Sequence, residues 1–457
     1  MKAKREHWAT RVGFIMAALG SAIGLGTLWK FPYVTGESGG GLFVLVYLGC
    51  TLFIGIPVFI AELLLGRRAQ RGVVGIFSTL SEKGNWRAVG FLAVLAPILI
   101  LSYYHVVAGW GLNYVFLSLV QFSKGKTPAE IQSVFDLLFQ SGAITLFFLF
   151  LFTAIVVAMV YQGVQKGIEY WSRIMTVSLF VLLIGLLFYS MTLEGFGDAV
   201  RFVFKPDLSK MRPSTILTAL GLAFFTLSLA HGVMLTYGSY LTKGENVPRV
   251  ALIVAGSDIV VSLLAALMIF PIIFTFGLEA DQGAGLVFKT LPVLFARLPG
   301  TLVISTAFFV LFVFTALTSA IAMLEVIAAN FMDLYKWPRG RAAIISGAIV
   351  FVLGIPCALS GSGTLFGAWP EMYNQTYFQT IDNLVNTWIL PLGGLFTALF
   401  AGWMVKREHL AEEYRAGASM RLFSAWHFFV RWVVPIAVIL VILQNVGVID
   451  VDRWVRG

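Results

Sequence analysis

Charge is scarce in this chain of 457 residues: Asp, Glu, Lys and Arg together make up 12%, against about a quarter in soluble domains. That scarcity excludes a water-exposed globular architecture. Cysteine is nearly missing too. Cys50 and Cys357 both lie in apolar runs, so they read as small core residues, and neither a disulfide nor a thiolate metal site is expected. The five histidines are scattered, and no nucleophile–base pair, metal motif or phosphate loop accompanies them. An enzyme is therefore not expected, nor any organic cofactor. No Pro-, Ser- or charge-rich linker divides the chain, so it reads as one domain.

Apolar sequence is abundant instead. Hydrophobic residues reach 59% and the mean hydropathy is +0.88. About eleven apolar runs approach the ~20 residues a membrane span requires; they centre near residues 22, 54, 104, 150, 179, 226, 263, 316, 348, 391 and 436. Met1 to Arg11 is polar and the first run has no small-residue cleavage site, so no cleavable signal is expected. The net charge of +9 invites a nucleic-acid reading, which its distribution rejects. With the N-terminus inside, about two thirds of the 32 Lys and Arg fall in cytoplasmic segments, among them Lys2, Lys4, Arg5, Arg67, Arg68, Arg71, Lys83, Arg87, Lys336, Arg339, Arg341, Lys406 and Arg407. The basic charge is a topology signal, and the odd span count puts Val451 to Gly457 outside. The partner it implies is a bilayer.

The first run interrupts itself. Gly20-Ser-Ala-Ile-Gly24-Leu-Gly26 lies within apolar sequence, followed by Thr27, Lys30, Phe31 and Pro32. Each glycine weakens a helix by about 1 kcal/mol relative to Ala, and backbone groups freed in lipid must face protein or a polar cavity. Exposed carbonyls hold cations and half-helix N–H groups hold carboxylates; close helix packing on glycine is the plainer alternative. The sixth run is interrupted likewise at Thr226-Leu-Ser228-Leu-Ala-His231-Gly232. Two broken segments five spans apart point to inverted five-helix repeats, at about 10–190 and 212–405, with an additional helix at about 424–449. The fold class is all-α integral membrane. The outer connection 193–212 and the stretch 361–377 are too short for domains, and the second is expected to fold back over the outer mouth.

Four polar clusters accompany the breaks: Ser102-Tyr103-Tyr104-His105, the hydroxyl face Thr315, Thr318 and Ser319, Ser257-Asp258, and Asp382 before Pro391. Ser and Thr also serve as glue between membrane helices, and paired Tyr as packing. An intramembrane Asp costs about 2.5 kcal/mol or more to insert, which marks Asp258 as functional unless it sits near a helix end.

These segments resemble the neurotransmitter:sodium symporters, in particular the bacterial amino-acid carriers with the LeuT-like fold. The resemblance covers nearly the whole chain and is carried by REHWATRVGFIMAALGSAIGLGTLWKFPY, ESGGG, IPVFIAELLLGRR, FFTLSL and ALTSAIAMLEV. It implies that Leu25 and Gly26 N–H groups and the Tyr104 hydroxyl clamp a substrate carboxylate. Carbonyls of Ala22, Phe225 and Thr226, with Ser228, would accept the substrate amine. Ser21, Ile100, His231, Ser319 and Met323 would line the remaining substrate pocket, under a lid of Phe225 and Tyr104. One sodium would take Gly20, Ile23, Thr315, Thr318 and Ser319; a second would take Ala22, Thr27, Thr226, Ser257 and the substrate carboxylate. Lys30 and Asp382 resemble the outer gate, and Arg5, Trp8, Tyr240 and Asp333 the inner one.

Departures from the family pattern refine the expectation. Gly24 stands where amine carriers have an Asp, so the ligand should bring its own carboxylate. Thr27 and Ser257 replace amides with hydroxyls, which bears on whether one or two sodium ions bind. His231 and Leu222 stand where an apolar pocket residue and a polar gate residue are common, and Asp258 is the candidate for a fixed charge replacing chloride. The implied function is sodium-coupled import of a zwitterionic amino acid by alternating access across the plasma (inner) membrane. A carrier of taurine or a β- or γ-amino acid is the alternative, and an ion channel a remote one.

Overall fold

The computed structural model describes residues 5–81, 85–207, 212–277, 285–415 and 420–449. The expected placements of Lys2, Lys4, Lys83 and Val451 to Gly457 lie outside the described residues. Within them all regular structure is helical. Nine helices are long and apolar enough to cross a membrane: Gly41–Ala69, Arg87–Leu119, Gly142–Tyr161, Val164–Ser190, Val247–Thr275, Thr301–Tyr335, Arg339–Leu359, Tyr377–Met404 and Arg421–Asn445. They are spans 2 to 5 and 7 to 11. Span 1 is a bent pair, Arg11–Ala22 and Gly26–Glu37, turned by 46°. Span 6 is split into Pro213–Thr226 and Val233–Gly238. Neither half alone crosses a bilayer. The two half-helix pairs therefore open the first and second groups of five spans, and the fold is that of two inverted five-helix repeats with span 11 appended.

Helix interiors are shaped by proline. Five widened π-type turns, Gly26–Lys30, Thr51–Gly55, Leu286–Thr290, Val385–Ile389 and Phe429–Val433, each end two residues before a proline: Pro32, Pro57, Pro292, Pro391 and Pro435. Proline has no N–H to donate and its ring crowds the carbonyl four residues back. Widening the turn by one residue relieves both problems and leaves a gentle bend.

Burial sorts the spans. Span 8 is the most enclosed, with 83% of its apolar window buried, while span 5 has 33% and spans 4 and 11 have 39%. Span 8 lies along span 3, and the first half of span 1 and the second half of span 6 pack against span 8. The outer spans turn Phe147, Phe150, Val181, Phe188, Val352 and Ile436 outward, as lipid contact requires.

The stretch 361–377 is mostly exposed, with only a short helix, Trp369–Tyr373. Residues 286–297 pack between spans 3 and 8, where the Phe288 ring meets Trp110, Tyr114, Phe135, Phe309 and Phe312. In that segment the apolar residues Leu286, Val287, Phe288 and Leu291 repay burial, whereas Gly361 to Phe366 offer little apolar surface.

Span 2 and the second half of span 6 approach closely enough to demand glycine. A Cβ at Gly66 would lie 2.1 Å from the Leu235 carbonyl oxygen, and one at Gly238 2.6 Å from that of Leu63. Gly66→Ala gains about 1 kcal/mol of helix propensity but forces two backbones apart, at about 1–3 kcal/mol or more. The clash is with backbone and has no flexible neighbour to absorb it. We expect a lower melting temperature for Gly66→Ala in detergent; a raised one would refute the close approach.

Candidate functional site

The two breaks face each other. At the first, Ile23 leaves helical geometry (φ −76°, ψ 80°) and the Gly24 N–H turns back to the Ala22 carbonyl at 2.8 Å. Thr27 and Leu28 N–H groups both return to the Gly24 carbonyl. Leu25 and Gly26 stand at the start of the second half-helix, where N–H groups lack a preceding turn, and the Leu25 N–H reaches the Tyr104 hydroxyl at 3.4 Å. At the second break Ser228, Ala230 and Gly232 all have positive φ, 52°, 63° and 72°. Only glycine adopts that region freely, so the strain at Ser228 and Ala230 must be held by neighbours. The Ser228 hydroxyl donates to the Ser21 carbonyl at 2.8 Å, tying the breaks together. The Ala230 N–H donates to Glu62 of span 2 at 2.8 Å.

Oxygen atoms gather in two places. In one, the Ser319 hydroxyl lies 3.0 Å from the Ser21 carbonyl and 3.4 Å from that of Gly20, and the Thr318 hydroxyl lies 3.0 Å from the Thr315 carbonyl. A Cβ at Gly20 would sit 2.9 Å from Thr318 Cβ, so the half-helix end and span 8 touch there. In the other, the Thr27 hydroxyl donates to Asp258 at 2.9 Å and lies 3.4 Å from the Ala22 carbonyl. The Tyr47 hydroxyl bridges Asp258 at 3.1 Å and Thr226 at 2.9 Å.

One expected member does not join. Ser257 is half-buried, and Asp258, fully buried, occupies the place beside Thr27 assigned to it. Consecutive helical residues point about 100° apart, and the residue of span 7 that meets Thr27 and Tyr47 is Asp258. Span 7 turns its carboxyl inward. Asp258 is the twelfth of the 29 residues of that helix, well away from its ends.

The remaining pocket residues are buried on the same four spans. Ile100 is fully enclosed, and Met323 and His231 are 3% exposed. The His231 ring stands edge-on to Phe225 with centroids 6.0 Å apart, and neither ring nitrogen has a hydrogen-bond partner. A Cβ at Gly24 would meet the Ser319 hydroxyl at 2.7 Å, and one at Gly26 would meet Phe225 at 2.6 Å. A side chain at either glycine would force its neighbour, Ser319 or Phe225, to move.

Charged contacts close both ends. Lys30 pairs with Asp382 at 3.3 Å and lies over the Phe225 ring at 4.3 Å from its centroid. Above them opens a cavity of about 520 Å³ that Leu222 also lines. At the opposite end Arg5 pairs with Asp333 at 2.8 Å and hydrogen-bonds Ser239, and Trp8 donates to the Tyr237 carbonyl at 3.1 Å. Tyr240 donates to the fully buried Glu325, which Arg339 pairs at 2.8 Å. The arrangement is closed on both sides.

Sequence reasoning missed Tyr47, Glu62, Glu325 and Arg339. Glu62 and Glu325 carried a signal, since each is an acid inside an apolar run. Tyr47 carried none. Removing Glu62 leaves the Ala230 N–H buried without an acceptor, at about 1–3 kcal/mol. We expect Glu62→Ala to lower the melting temperature, and Glu62→Gln, whose carbonyl still accepts, to restore most of it. Equal melting of both variants would show that the hydrogen bond does not hold the break.

The model of the sodium:neurotransmitter symporter family matches residues 5–127 and 129–454. The chain is 38% identical over 449 residues to the "uncharacterized sodium-dependent transporter YhdH" of Bacillus subtilis, covering 98% of this chain and 99% of that one. A second uncharacterized sodium-dependent transporter, from Haemophilus influenzae, is 31% identical over 97% of this chain and 98% of its own length. Among solved structures, that of MhsT in complex with L-phenylalanine matches with a TM-score of 0.90 and 41% identity, over 97% of this chain and all of that one.

Proposed function

The chain belongs to the sodium:neurotransmitter symporter family, and on that premise we propose that it imports a zwitterionic α-amino acid with one or two sodium ions by alternating access. Sodium-coupled transport is the family's activity, and the chain is a multi-pass membrane protein. The observation that carries the substrate reading is the glycine at the first break. Gly24 carries no acid, so the donors at Leu25, Gly26 and Tyr104 have no carboxylate from that position to face, and the ligand supplies one. Its ammonium would lie on the carbonyls of Ala22, Phe225 and Thr226 and on Ser228. The phenylalanine held by MhsT favours an α-amino acid over taurine or a β- or γ-amino acid.

Sodium suits hard oxygen ligands. One ion would take Gly20, Ile23, Thr315, Thr318 and Ser319. The other would take Ala22, Thr27, Thr226 and the substrate carboxylate, with Asp258 in place of Ser257. A carboxylate at that position balances cation charge without chloride. Binding of both cargoes would favour the closed arrangement, and release of the Arg5–Asp333 contact would open the inner end. The Lys and Arg distribution supports a cytoplasmic N-terminus and the plasma membrane.

The test is uptake in proteoliposomes across a panel of α-amino acids, taurine and γ-aminobutyrate. Uptake of an α-amino acid is expected to require sodium, to persist in gluconate buffer, and to vanish in Thr318→Ala and Ser319→Ala while both variants still insert. Sodium-independent uptake, or unchanged sodium dependence in the variants, would reject the site.

His231 bears on selectivity. A buried imidazole with two free nitrogens is under-satisfied unless a ligand meets it. It stands beside the Phe225 ring, where it would donate to a polar substrate side chain. His231→Phe is expected to shift preference toward apolar amino acids by about tenfold or more, since sites built on a hydrogen bond discriminate strongly. Competition binding on both proteins checks this, and an identical rank order would remove His231 from the pocket.

A further inference from the structure

Cations on the Lys30 side of the molecule run against the topology signal, and three of them surround one cavity. It measures about 590 Å³ and is lined by Lys124 and Lys126 of the turn after span 3, by Arg297 at the end of helix Leu291–Arg297, and by Gly300, Thr301 and Leu302 at the start of span 8. No acid lines it. Among the described residues none of the three cations forms an ion pair, although Arg297 lies over the Phe276 ring, 5.5 Å from its centroid. Glu130 is near enough for the Lys126 charge to act on it, and both nearby acids have other partners. Glu130 accepts from the Thr127 N–H at 2.7 Å and from its hydroxyl at 2.8 Å in a capping box, and Asp136 pairs with Lys289 at 2.7 Å.

The cavity lies where the protein meets lipid. The residues leading into it from span 3, Phe116, Leu119 and Val120, are exposed, as are Leu302 and Val303 on span 8. Apolar surface running up to a basic hollow matches an amphiphile with an anionic head and apolar tails. At the floor, Gly300 gives span 8 no capping side chain, so the first N–H groups of a long helix add favourable polarity for an anion.

We propose that this cavity binds the headgroup of an anionic phospholipid from the adjacent leaflet, with the phosphate between Lys124, Lys126 and Arg297 and the acyl chains along Phe116, Val120 and Val303. Because Arg297 ends helix Leu291–Arg297 and Lys124 and Lys126 lie in the turn after span 3, a bound lipid would link the two segments.

The full-length protein is purified in detergent, and phosphatidylglycerol and phosphatidylcholine compete for it under native mass spectrometry. Wild type is expected to prefer phosphatidylglycerol. K124Q/K126Q/R297Q is expected to lose about tenfold or more of that preference, each surface cation contributing roughly equally. The charge-matched variant K166Q/R173Q/R249Q, at exposed positions on the opposite face, is expected to retain it. If the triple variant proves unstable, R297Q alone must show a partial loss. An unchanged preference in K124Q/K126Q/R297Q, an equal loss in the control, or displacement of phosphatidylglycerol by inorganic phosphate at comparable concentration would overturn the assignment, the last by showing a free-anion site.

Discussion

Unpaired backbone groups inside a bilayer govern this structure. A chain that breaks two helices in lipid frees N–H and carbonyl groups that only protein or cargo can satisfy. The scaffold answers with specific acceptors: Glu62 for the Ala230 N–H, the Ser21 carbonyl for the Ser228 hydroxyl, the Ala22 carbonyl for the Gly24 N–H. These contacts hold Ser228 and Ala230 in left-handed geometry, and that geometry turns the remaining oxygens toward span 8 and span 7. The groups left over are those that would hold cargo.

The same constraint explains the division of labour among the spans. Span 8 is buried along most of its length and presents Thr315, Thr318 and Ser319 from a straight rod. Spans 1 and 6 carry the irregular backbone against it. Precise placement comes from the rigid element and exposed dipoles from the broken ones, and the two meet within hydrogen-bond distance at Ser319. Spans 4, 5 and 11 contribute lipid-facing bulk.

The two closures are built differently. On one side Lys30 pairs with Asp382, which also accepts from Asn386 at 2.7 Å, over one aromatic ring beneath an open cavity. On the other a network joins Arg5, Asp333, Ser239, Trp8, Tyr240, Glu325, Arg339 and Glu6. Opening the second requires more contacts to be broken together.

Much of this was legible in the residues themselves. Apolar run length determined the spans, and the glycine cluster at 20–26 and the polar stretch ending in Gly232 marked where helices break, because lipid leaves a backbone no other partner. Charge asymmetry is the residue-level signal for the proposed orientation, and the glycine at 24, which supplies no acid, is the signal for the proposed ligand carboxylate. Tertiary structure decided the rest. Whether Ser257 or Asp258 enters the site depends on the rotation of span 7 about its axis, a matter of packing against spans 1 and 2 that local pattern does not record. The role of Tyr47 needed span 2 to be seen beside spans 6 and 7. The packing of segment 286–297 rests on Phe288, which enters an aromatic hollow formed by residues distant in sequence. The basic cavity gathers three segments that no motif joins, since electrostatic clusters form across loops only once the scaffold fixes where those loops meet.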